Sequence, residues 1–246
     1  MVKQKNKKYN INIKDFFIII QKMQSKYKFE ELSKERHSVR KFLPKEVPEK
    51  VLREIMTVAQ RAPSWENSQP WGAYIATGEV LNQIRKVWIE KNEKKIKGYA
   101  DMSPGHRTNF SKQGQKNMED FMKDVGEFAN DPKLDKFWRA NVELFNSPAI
   151  VYLTLPKGHT KWSIYDLGGF GMSIMLAAKN YGVDSIPAYE LIKYPDVLRK
   201  YAKVPDDEDI IVGIALGYEE ADNIMNKYRS TRLPLDQVCH FKSKLE

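Results

Sequence analysis

Apolar residues recur along this chain in two patterns, and each pattern predicts a type of secondary structure. A spacing of three to four residues is typical of amphipathic helices, and short runs of β-branched and aromatic residues are typical of strands. The first pattern predicts helices over residues 48–62, 79–95, 115–128, 132–145 and 194–202. The second predicts strands over residues 71–77, 149–155, 184–188 and 210–216. No internal repeat or linker interrupts this order, so we expect one folded domain.

The longest predicted helix, Ser163–Tyr181, is almost wholly apolar and rich in small residues. Its glycines at 168, 169 and 171 look like part of a dinucleotide-binding loop, but in such a loop the glycines follow a strand and open the helix. Here they lie inside the helical pattern, and Ile174 stands where the third glycine would be. The glycines therefore indicate close packing in a core or at a subunit interface, with Gly182 ending the helix.

The charge divides the chain into a basic tail and a nearly balanced body. Hydrophobic residues make up 41% of the sequence, enough for a sizeable core, and the net charge is +9. Residues 1–34 hold nine lysines against three acidic residues and carry +6 of that charge. We therefore interpret residues 1–28 as an N-terminal basic tail and residues 29–246 as the folded domain. Because the body is nearly neutral, we expect no nucleic-acid function.

Several other classes of protein are excluded on simple counts. No apolar run approaches the roughly 20 residues that span a membrane, and the run Phe16–Ile20 has five. It also lacks a signal-peptide cleavage site. The single cysteine, Cys239, excludes an intramolecular disulfide, and the four histidines are scattered without acidic neighbours at metal-binding spacing. We expect a cytoplasmic protein with no metal and no membrane segment.

Two basic clusters could bind one phosphate. In an extended segment, Arg36, Ser38 and Arg40 project to the same side. Two guanidinium groups and a hydroxyl make a compact phosphate site, because arginine donates paired hydrogen bonds. The segment 229–232, Arg-Ser-Thr-Arg, offers the same groups near the C-terminus. The alternatives are a solvated basic turn for the first cluster and a charged tail for the second.

A third cluster occupies the loop 63–71, between a predicted helix and a predicted strand. It concentrates amides and hydroxyls between Trp65 and Trp71. Asparagine and glutamine offer both donors and acceptors, which suits a flat heterocycle with alternating N–H and C=O groups. The alternative is an ordinary proline-bounded loop whose tryptophan fills the core.

Together the clusters resemble, in sequence order, the nitroreductase family of FMN-dependent oxidoreductases, from about Glu31 to Phe241. The matching segments read ERHSVRKF, APSWENSQPW, DLGGFGMSIMLAAKNYGVDSIPA, PDDEDIIVGIALGY and YRSTRLPLDQV. The resemblance implies an α+β fold in which a mostly antiparallel central sheet is wrapped by helices. It also implies an intertwined homodimer with FMN at the subunit interface.

The resemblance further implies which residues bind FMN. They are Arg36, His37, Ser38, Arg40, Pro63, Ser64, Asn67, Gln69, Pro187, Ala188, Tyr189, Glu190, Arg229 and Arg232. In the family, the first four hold the phosphate, the ribityl chain and the pyrimidine edge, and the 63–69 loop lies beneath the flavin. The 187–190 backbone approaches flavin N5, and Arg232 matches a terminal phosphate-binding arginine. Many members have lysine where this chain has Ser230, so Arg229 is the candidate substitute.

The activity that the resemblance implies is hydride transfer from NADH or NADPH to FMN, and then to a nitroaromatic, quinone or similar flat acceptor, in a ping-pong sequence. The cofactor carries this chemistry, so no catalytic side chain is predicted. Two alternatives stay open. One is a specialised member of the family, such as a reductive dehalogenase or a flavin-consuming enzyme, which the irregular region 98–130 would decide. The other is a non-enzymatic FMN-binding protein.

Overall fold

A computed structural model of the chain describes residues 28–243, and the predicted tail up to residue 27 lies outside them. The described residues form an α+β fold. Its helices are α1 (Phe29–Glu35), α2 (Glu49–Ala59), α3 (Gly78–Glu93), α4 (Lys112–Phe128), α5 (Asp135–Val142), α6 (Lys161–Asn180), α7 (Pro195–Ala202) and α8 (Ile224–Lys227). Its strands are β1 (Gly72–Thr77), β2 (Ala149–Pro156), β3 (Asp184–Ala188) and β4 (Glu208–Gly217).

The four strands form one sheet in the order β1-β2-β4-β3, and every neighbouring pair is antiparallel. In the central strand β2, Val151 and Leu153 face one core, whereas Ile150 and Tyr152 face the other. Both faces of the strand are therefore buried, which explains why its sequence is a continuous apolar run rather than an alternation. This arrangement confirms the predicted fold class.

Two hydrophobic cores lie on opposite faces of the sheet. On one face, α3 and α7 pack around Trp88, Tyr152 and Tyr194. On the other face, α2 and α6 pack around residues that include Ile55 and Phe170. Full burial of one such side chain stabilises a fold by about 1.5–3 kcal/mol, so these two layers hold the sheet and its helices together.

The predicted helix over 132–145 is wrong at both ends. Helix α5 begins at Asp135 because the buried Asp131 carboxylate accepts the backbone N–H groups of Asp135 (3.1 Å) and Lys136 (2.8 Å). This is the usual way in which a carboxylate satisfies the first amides of a helix.

After α5 the chain turns through three consecutive residues with left-handed backbone, Leu144, Phe145 and Asn146. The side chains of Leu144 and Phe145 are buried in the core, and the Phe145 carbonyl accepts the N–H of Phe42 at 3.1 Å. Left-handed backbone costs a non-glycine residue about 1–2 kcal/mol, and the burial of two large apolar side chains offsets this cost. The spacing of apolar residues in the sequence does not show where such a turn occurs.

Helix α6 matches the predicted long helix, and Gly182 follows its last turn with a φ of 73°. One side of α6 is buried through Phe170 and Ile174. On the other side, a Cβ atom added to Gly168 or Gly169 would meet nothing within 4 Å. These two glycines therefore have no close packing partner within the described part of the chain.

Two further properties hold for residues 28–243. None of their helices has both the length and the apolar character needed to cross a membrane. None of their clusters of histidine, cysteine, aspartate and glutamate is arranged to hold a metal ion.

Candidate functional site

Two segments that carry the predicted arginines meet beside strand β3. The N–H of Val39 donates to the carbonyl of Ser185 at 3.1 Å, and Ser38 forms a parallel bridge with Ser185. The buried Asn226 of α8 fastens the second segment to the first. Its Oδ1 accepts the N–H of Arg40 at 2.7 Å, and its Nδ2 donates to the carbonyl of Lys41 at 2.7 Å. The terminal basic segment begins directly after this anchor.

These segments enclose a pocket of about 530 Å³, which we call the arginine pocket. It is lined by Ser33, Lys34, Glu35, Arg36, His37, Ser38, Arg40, Tyr228, Arg229, Ser230 and Arg232. A larger space of about 750 Å³, between α4 and the C-terminal segment, adjoins it, because Tyr228, Ser230 and Arg232 line both. Residues 36–40 and 229–232 are thus brought together as the phosphate interpretation predicts, although about 190 positions separate them in the sequence.

The arginine pocket gathers four arginines, at positions 36, 40, 229 and 232, against one acidic residue, Glu35. Burial lowers the pKa of Arg36, and the neighbouring charge of Arg232 lowers it further. Burial also lowers the pKa of Arg40. Within residues 28–243, none of the arginines at 36, 40, 229 and 232 lies within ion-pair distance of an acidic group. A cluster of this kind favours a bound anion, because an anion relieves the mutual repulsion.

Two arginines of the terminal segment are oriented by backbone carbonyls. Arg229 donates from Nη1 to the carbonyl of Asn226 at 2.6 Å. Arg232 donates from Nη1 to the hydroxyl of Ser230 at 2.9 Å and to the carbonyl of Thr231 at 2.8 Å. The short polar side chain at Ser230 therefore supports Arg232 in the place where many family members carry lysine.

His37 lines the arginine pocket, but its ring serves the protein's own hydrogen bonds. Its Nδ1 lies 2.9 Å from the carbonyl of Glu35, and its Nε2 lies 3.4 Å from Oε1 of Glu219. These contacts hold the segment between α1 and Arg40 in its extended course.

The 187–190 stretch lies beside the same segment. The segment meets β3 at the parallel bridge between Ser38 and Ser185, and further along it Phe42 bridges Glu219, past the end of β4. Pro187 is exposed and ends β3 together with Ala188, and Tyr189 is also exposed. The end of β3 therefore presents exposed backbone two residues beyond its bridge to the 36–40 segment.

The Glu190 side chain turns away from this edge and into the body. Its Oε1 accepts the indole N–H of Trp88 at 3.3 Å and pairs with Nζ of Lys193 at 2.6 Å. The carboxylate therefore anchors the turn after β3, and only the backbone of Glu190 is placed to reach a ligand at the exposed edge.

The predicted loop over 63–69 does not line the arginine pocket. Its backbone is strained, with left-handed φ angles of 47° at Glu66, 60° at Asn67 and 44° at Gln69. The hydroxyl of Ser64 accepts the N–H of Gln69 at 2.9 Å and closes the loop on itself. Each left-handed non-glycine residue costs of order 1 kcal/mol or more, so the surrounding structure must hold the loop in this shape.

Helix α6 supplies that support. The buried carboxylate of Asp166 accepts the N–H of Trp65 at 3.0 Å, and the Trp65 ring packs on Trp162 with 4.8 Å between centroids. Trp65 and Trp162 are nonetheless each about half exposed. The loop, with Pro63 at its start, is therefore held against the exposed side of α6.

Sequence reasoning missed the residues that join the two arginine segments. Asn226 lies in a four-residue helix, and the two residues that it anchors, Arg40 and Lys41, lie about 185 positions earlier in the chain. Tyr228 packs in a small satellite core with Val125 and Met225 and also lines the arginine pocket. No local pattern signals either role, because both depend on contacts between distant segments.

Comparisons with known proteins identify the family of this chain. A family model described as the nitroreductase family matches residues 33–218. The 4-nitrobenzoate reductase of Pseudomonas putida is 26% identical over 219 residues, which cover 87% of this chain and 95% of that protein. The nitrobenzene nitroreductase of Ectopseudomonas oleovorans is 26% identical over 217 residues, covering 86% and 96% respectively.

One solved structure with a similar fold is the FMN-dependent nitroreductase NfnB from Mycobacterium smegmatis in complex with NADPH. It superposes with a TM-score of 0.79 and 25% sequence identity, over 92% of this chain and 100% of that one. The family match covers both cores, the sheet and the first arginine segment, which is well over half of the sequence. On this evidence the chain belongs to the nitroreductase family.

Proposed function

We propose that this protein is an FMN-dependent oxidoreductase that passes hydride from NADH or NADPH to a nitroaromatic, a quinone or a similar flat acceptor. The observation that carries the proposal is the arginine pocket, an anion site built at the edge of a nitroreductase-family sheet. The relatives named for 4-nitrobenzoate and nitrobenzene, and the NADPH complex of NfnB, support the choice of substrates.

The residues present fit FMN. Its phosphate is a dianion, and the uncompensated guanidinium groups of Arg36 and Arg232 match it in charge and in donor geometry. The hydroxyls of Ser38 and Ser230 line the same pocket and add neutral donors. When bound, FMN supplies the hydride chemistry, and the protein supplies binding, orientation and electrostatics.

The remaining proposed contacts are on the exposed edge of β3. Arg40, which lines the arginine pocket, is assigned to stabilise the negative charge that develops on a bound ring system. The backbone from Ala188 to Glu190 presents its polar groups beside the same ring. We assign no side chain as a proton donor or acceptor in the reaction.

We further propose that the site is completed by a second copy of the chain. The exposed side of α6 carries Trp162, Tyr165 and Met172, which are 40–74% exposed, next to two glycines with open space above them. Apolar surface of this kind is typical of protein interfaces. The 63–69 loop lies at the start of this surface. We propose that, in the dimer, the loop of one copy lies beside the arginine pocket of the other copy.

The test of function is anaerobic reduction of the purified protein. We expect a yellow protein whose flavin absorbance is bleached by NADH or NADPH and restored by a nitroaromatic or quinone. A halogenated aromatic in the same acceptor panel separates the reductive dehalogenase alternative. Retained FMN that neither nucleotide reduces would instead favour the non-enzymatic alternative.

The order of the reaction has its own test. Nicotinamide and acceptor must each reach the same face of the flavin at near-contact distance, so they occupy one position in turn. Double-reciprocal plots at several acceptor concentrations should therefore be parallel. Intersecting lines would place the acceptor elsewhere and contradict the shared position.

A further inference from the structure

The Arg40 guanidinium is held by aromatic rings instead of by a carboxylate. It lies 5.5 Å from the ring centroid of Phe137 and 5.8 Å from that of Phe121. Its Nη1 donates to the carbonyl of Ser38 at 3.1 Å. Within the part of the chain that the structure describes, no acidic group lies within ion-pair distance of it. Two aromatic rings thus lie close to a partly buried cation.

The two rings belong to a substructure of their own. Phe121 lies in α4 and Phe137 lies in α5, and both pack on a small core that also contains Val125 and Tyr228. This core is separate from the two cores that cover the sheet. The α4–α5 hairpin therefore touches the proposed FMN site directly, through Arg40 and Tyr228.

Aromatic rings leave the charge of Arg40 available to a ligand, whereas a carboxylate would not. A carboxylate would orient Arg40 but would also cancel its charge. A ring face attracts the guanidinium through its quadrupole and leaves the positive charge available to another group. The arrangement suits an arginine whose charge must act on a bound ligand.

We propose that Phe121 and Phe137 are positioning residues that hold Arg40 toward the flavin, so that the α4–α5 hairpin sets how much more tightly the protein binds reduced FMN than oxidised FMN. This inference rests on the proposed function. Reduction adds negative charge to the ring system, and a correctly placed cation stabilises the reduced form more than the oxidised form. Loss of either ring lets the Arg40 side chain leave that position.

The experiment measures FMN affinity in both redox states for Phe121→Leu and Phe137→Leu. Leucine keeps an apolar side chain but removes the π face. The matched control is Phe128→Leu, because Phe128 packs on Tyr228 at 5.6 Å, as Phe121 does at 5.8 Å, without lying over Arg40. We expect each of the first two variants to lower the ratio of reduced to oxidised affinity about three- to tenfold. The control should leave the ratio unchanged.

The midpoint potential of the bound FMN gives the same ratio independently, because a tenfold change corresponds to about 30 mV for a two-electron couple. In an Arg40→Gln background, Phe121→Leu should not change the potential further. Equal shifts in Phe121→Leu and Phe128→Leu, or a Phe121→Leu effect that persists without Arg40, would overturn the inference. If the unsubstituted chain bound no FMN, the proposed function would fail first. If Phe121→Leu and Phe137→Leu bound FMN tightly and left its midpoint potential unchanged, only the positioning role would be overturned.

Discussion

The arginine pocket and the 63–69 loop are assigned to the same cofactor, yet they lie apart within one chain and are held by different contacts. The pocket joins residues 36–40 to residues 229–232 through Asn226 and is complete within one chain. The loop is held away from that pocket, on the exposed side of α6. Among residues 28–243 the four arginines of the pocket have no ion-pair partner, whereas the strained loop is held by its own helix.

The difference is what we expect if one site is divided between two copies of the chain, as proposed above. A cluster of like charges is unfavourable until an anion binds, so the pocket gains most from its ligand. A loop with a strained backbone must be held in shape before a ligand binds. Asp166 of α6 holds the 63–69 loop by accepting the N–H of Trp65. One part therefore supplies binding energy, and the other supplies a preformed surface.

The largest effect is expected from the arginines. Arg36→Ala or Arg232→Ala removes a charge-assisted contact worth about 1.5–3 kcal/mol, so FMN affinity should fall roughly ten- to a hundredfold in each variant. Flavin fluorescence during titration of the purified protein measures this. Arg53→Ala is the control, because Arg53 is exposed, pairs with Glu49 on α2 and does not line the arginine pocket. Unchanged FMN retention in both pocket variants would refute the placement of the phosphate.

The loop is tested by Asp166→Ala, which removes the acceptor for the N–H of Trp65. Leaving this group unpaired should cost about 1–3 kcal/mol in loop stability, and FMN affinity should fall by about tenfold. Ser173→Ala on the same helix is the control, because that hydroxyl donates to the carbonyl of Gly169 within α6. If both variants bind FMN like the unsubstituted chain, the loop takes no part in the site.

A dimer that combines a pocket variant with a loop variant can distinguish a site shared between two chains from a site within one chain. A mixed dimer of an Arg36→Ala, Arg232→Ala subunit with an Asp166→Ala subunit would pair one intact pocket with one intact loop. We expect such dimers to recover about half of the normal flavin content, because two-fold symmetry creates two sites and one of them is intact. Mixed dimers that stay empty would show that both parts act within the same chain.

A smaller effect, confined to stability, is expected at Tyr74. Its hydroxyl donates to Glu208 at 2.9 Å, and burial together with this carboxylate raises the pKa of Tyr74 to about 12. An unfolded tyrosine ionises near pH 10. The stability linked to the neutral phenol is therefore complete below pH 10 and is lost as the pH rises to 12.

Tyr74→Phe should reduce the loss of stability between pH 10 and pH 12, measured by urea unfolding at several pH values. FMN affinity at pH 7 should not change, because neither Tyr74 nor Glu208 lines the arginine pocket or belongs to the 63–69 loop. An equally steep pH dependence in the variant would mean that another group is responsible.

The smallest effect is expected from removing the N-terminal tail. A chain that begins at Met23 lacks most of the excess positive charge but keeps every residue assigned to the pocket and the loop. It should retain FMN, dimer mass and turnover within experimental error. Precipitation or loss of flavin would instead make the segment around Phe16–Ile20 part of the folded domain.

The sequence by itself determined the strands closely, because a buried strand shows in the chain as a short apolar run. The strand predicted over 184–188 is observed with those limits, and the one over 149–155 is one residue longer. It also determined which residue types line the pocket, through the resemblance of segments such as ERHSVRKF. These features are local, so a local pattern carries them.

Only the tertiary structure decided what depends on distant contacts. The end of α5, the anchor at Asn226 and the aromatic support of Arg40 each join segments that lie far apart in the sequence. Placement of the 63–69 loop on α6 rather than at the arginines is of the same kind. At these positions burial and hydrogen bonding between distant segments outweigh the local secondary-structure propensity. The spacing of apolar residues along the sequence does not predict such contacts.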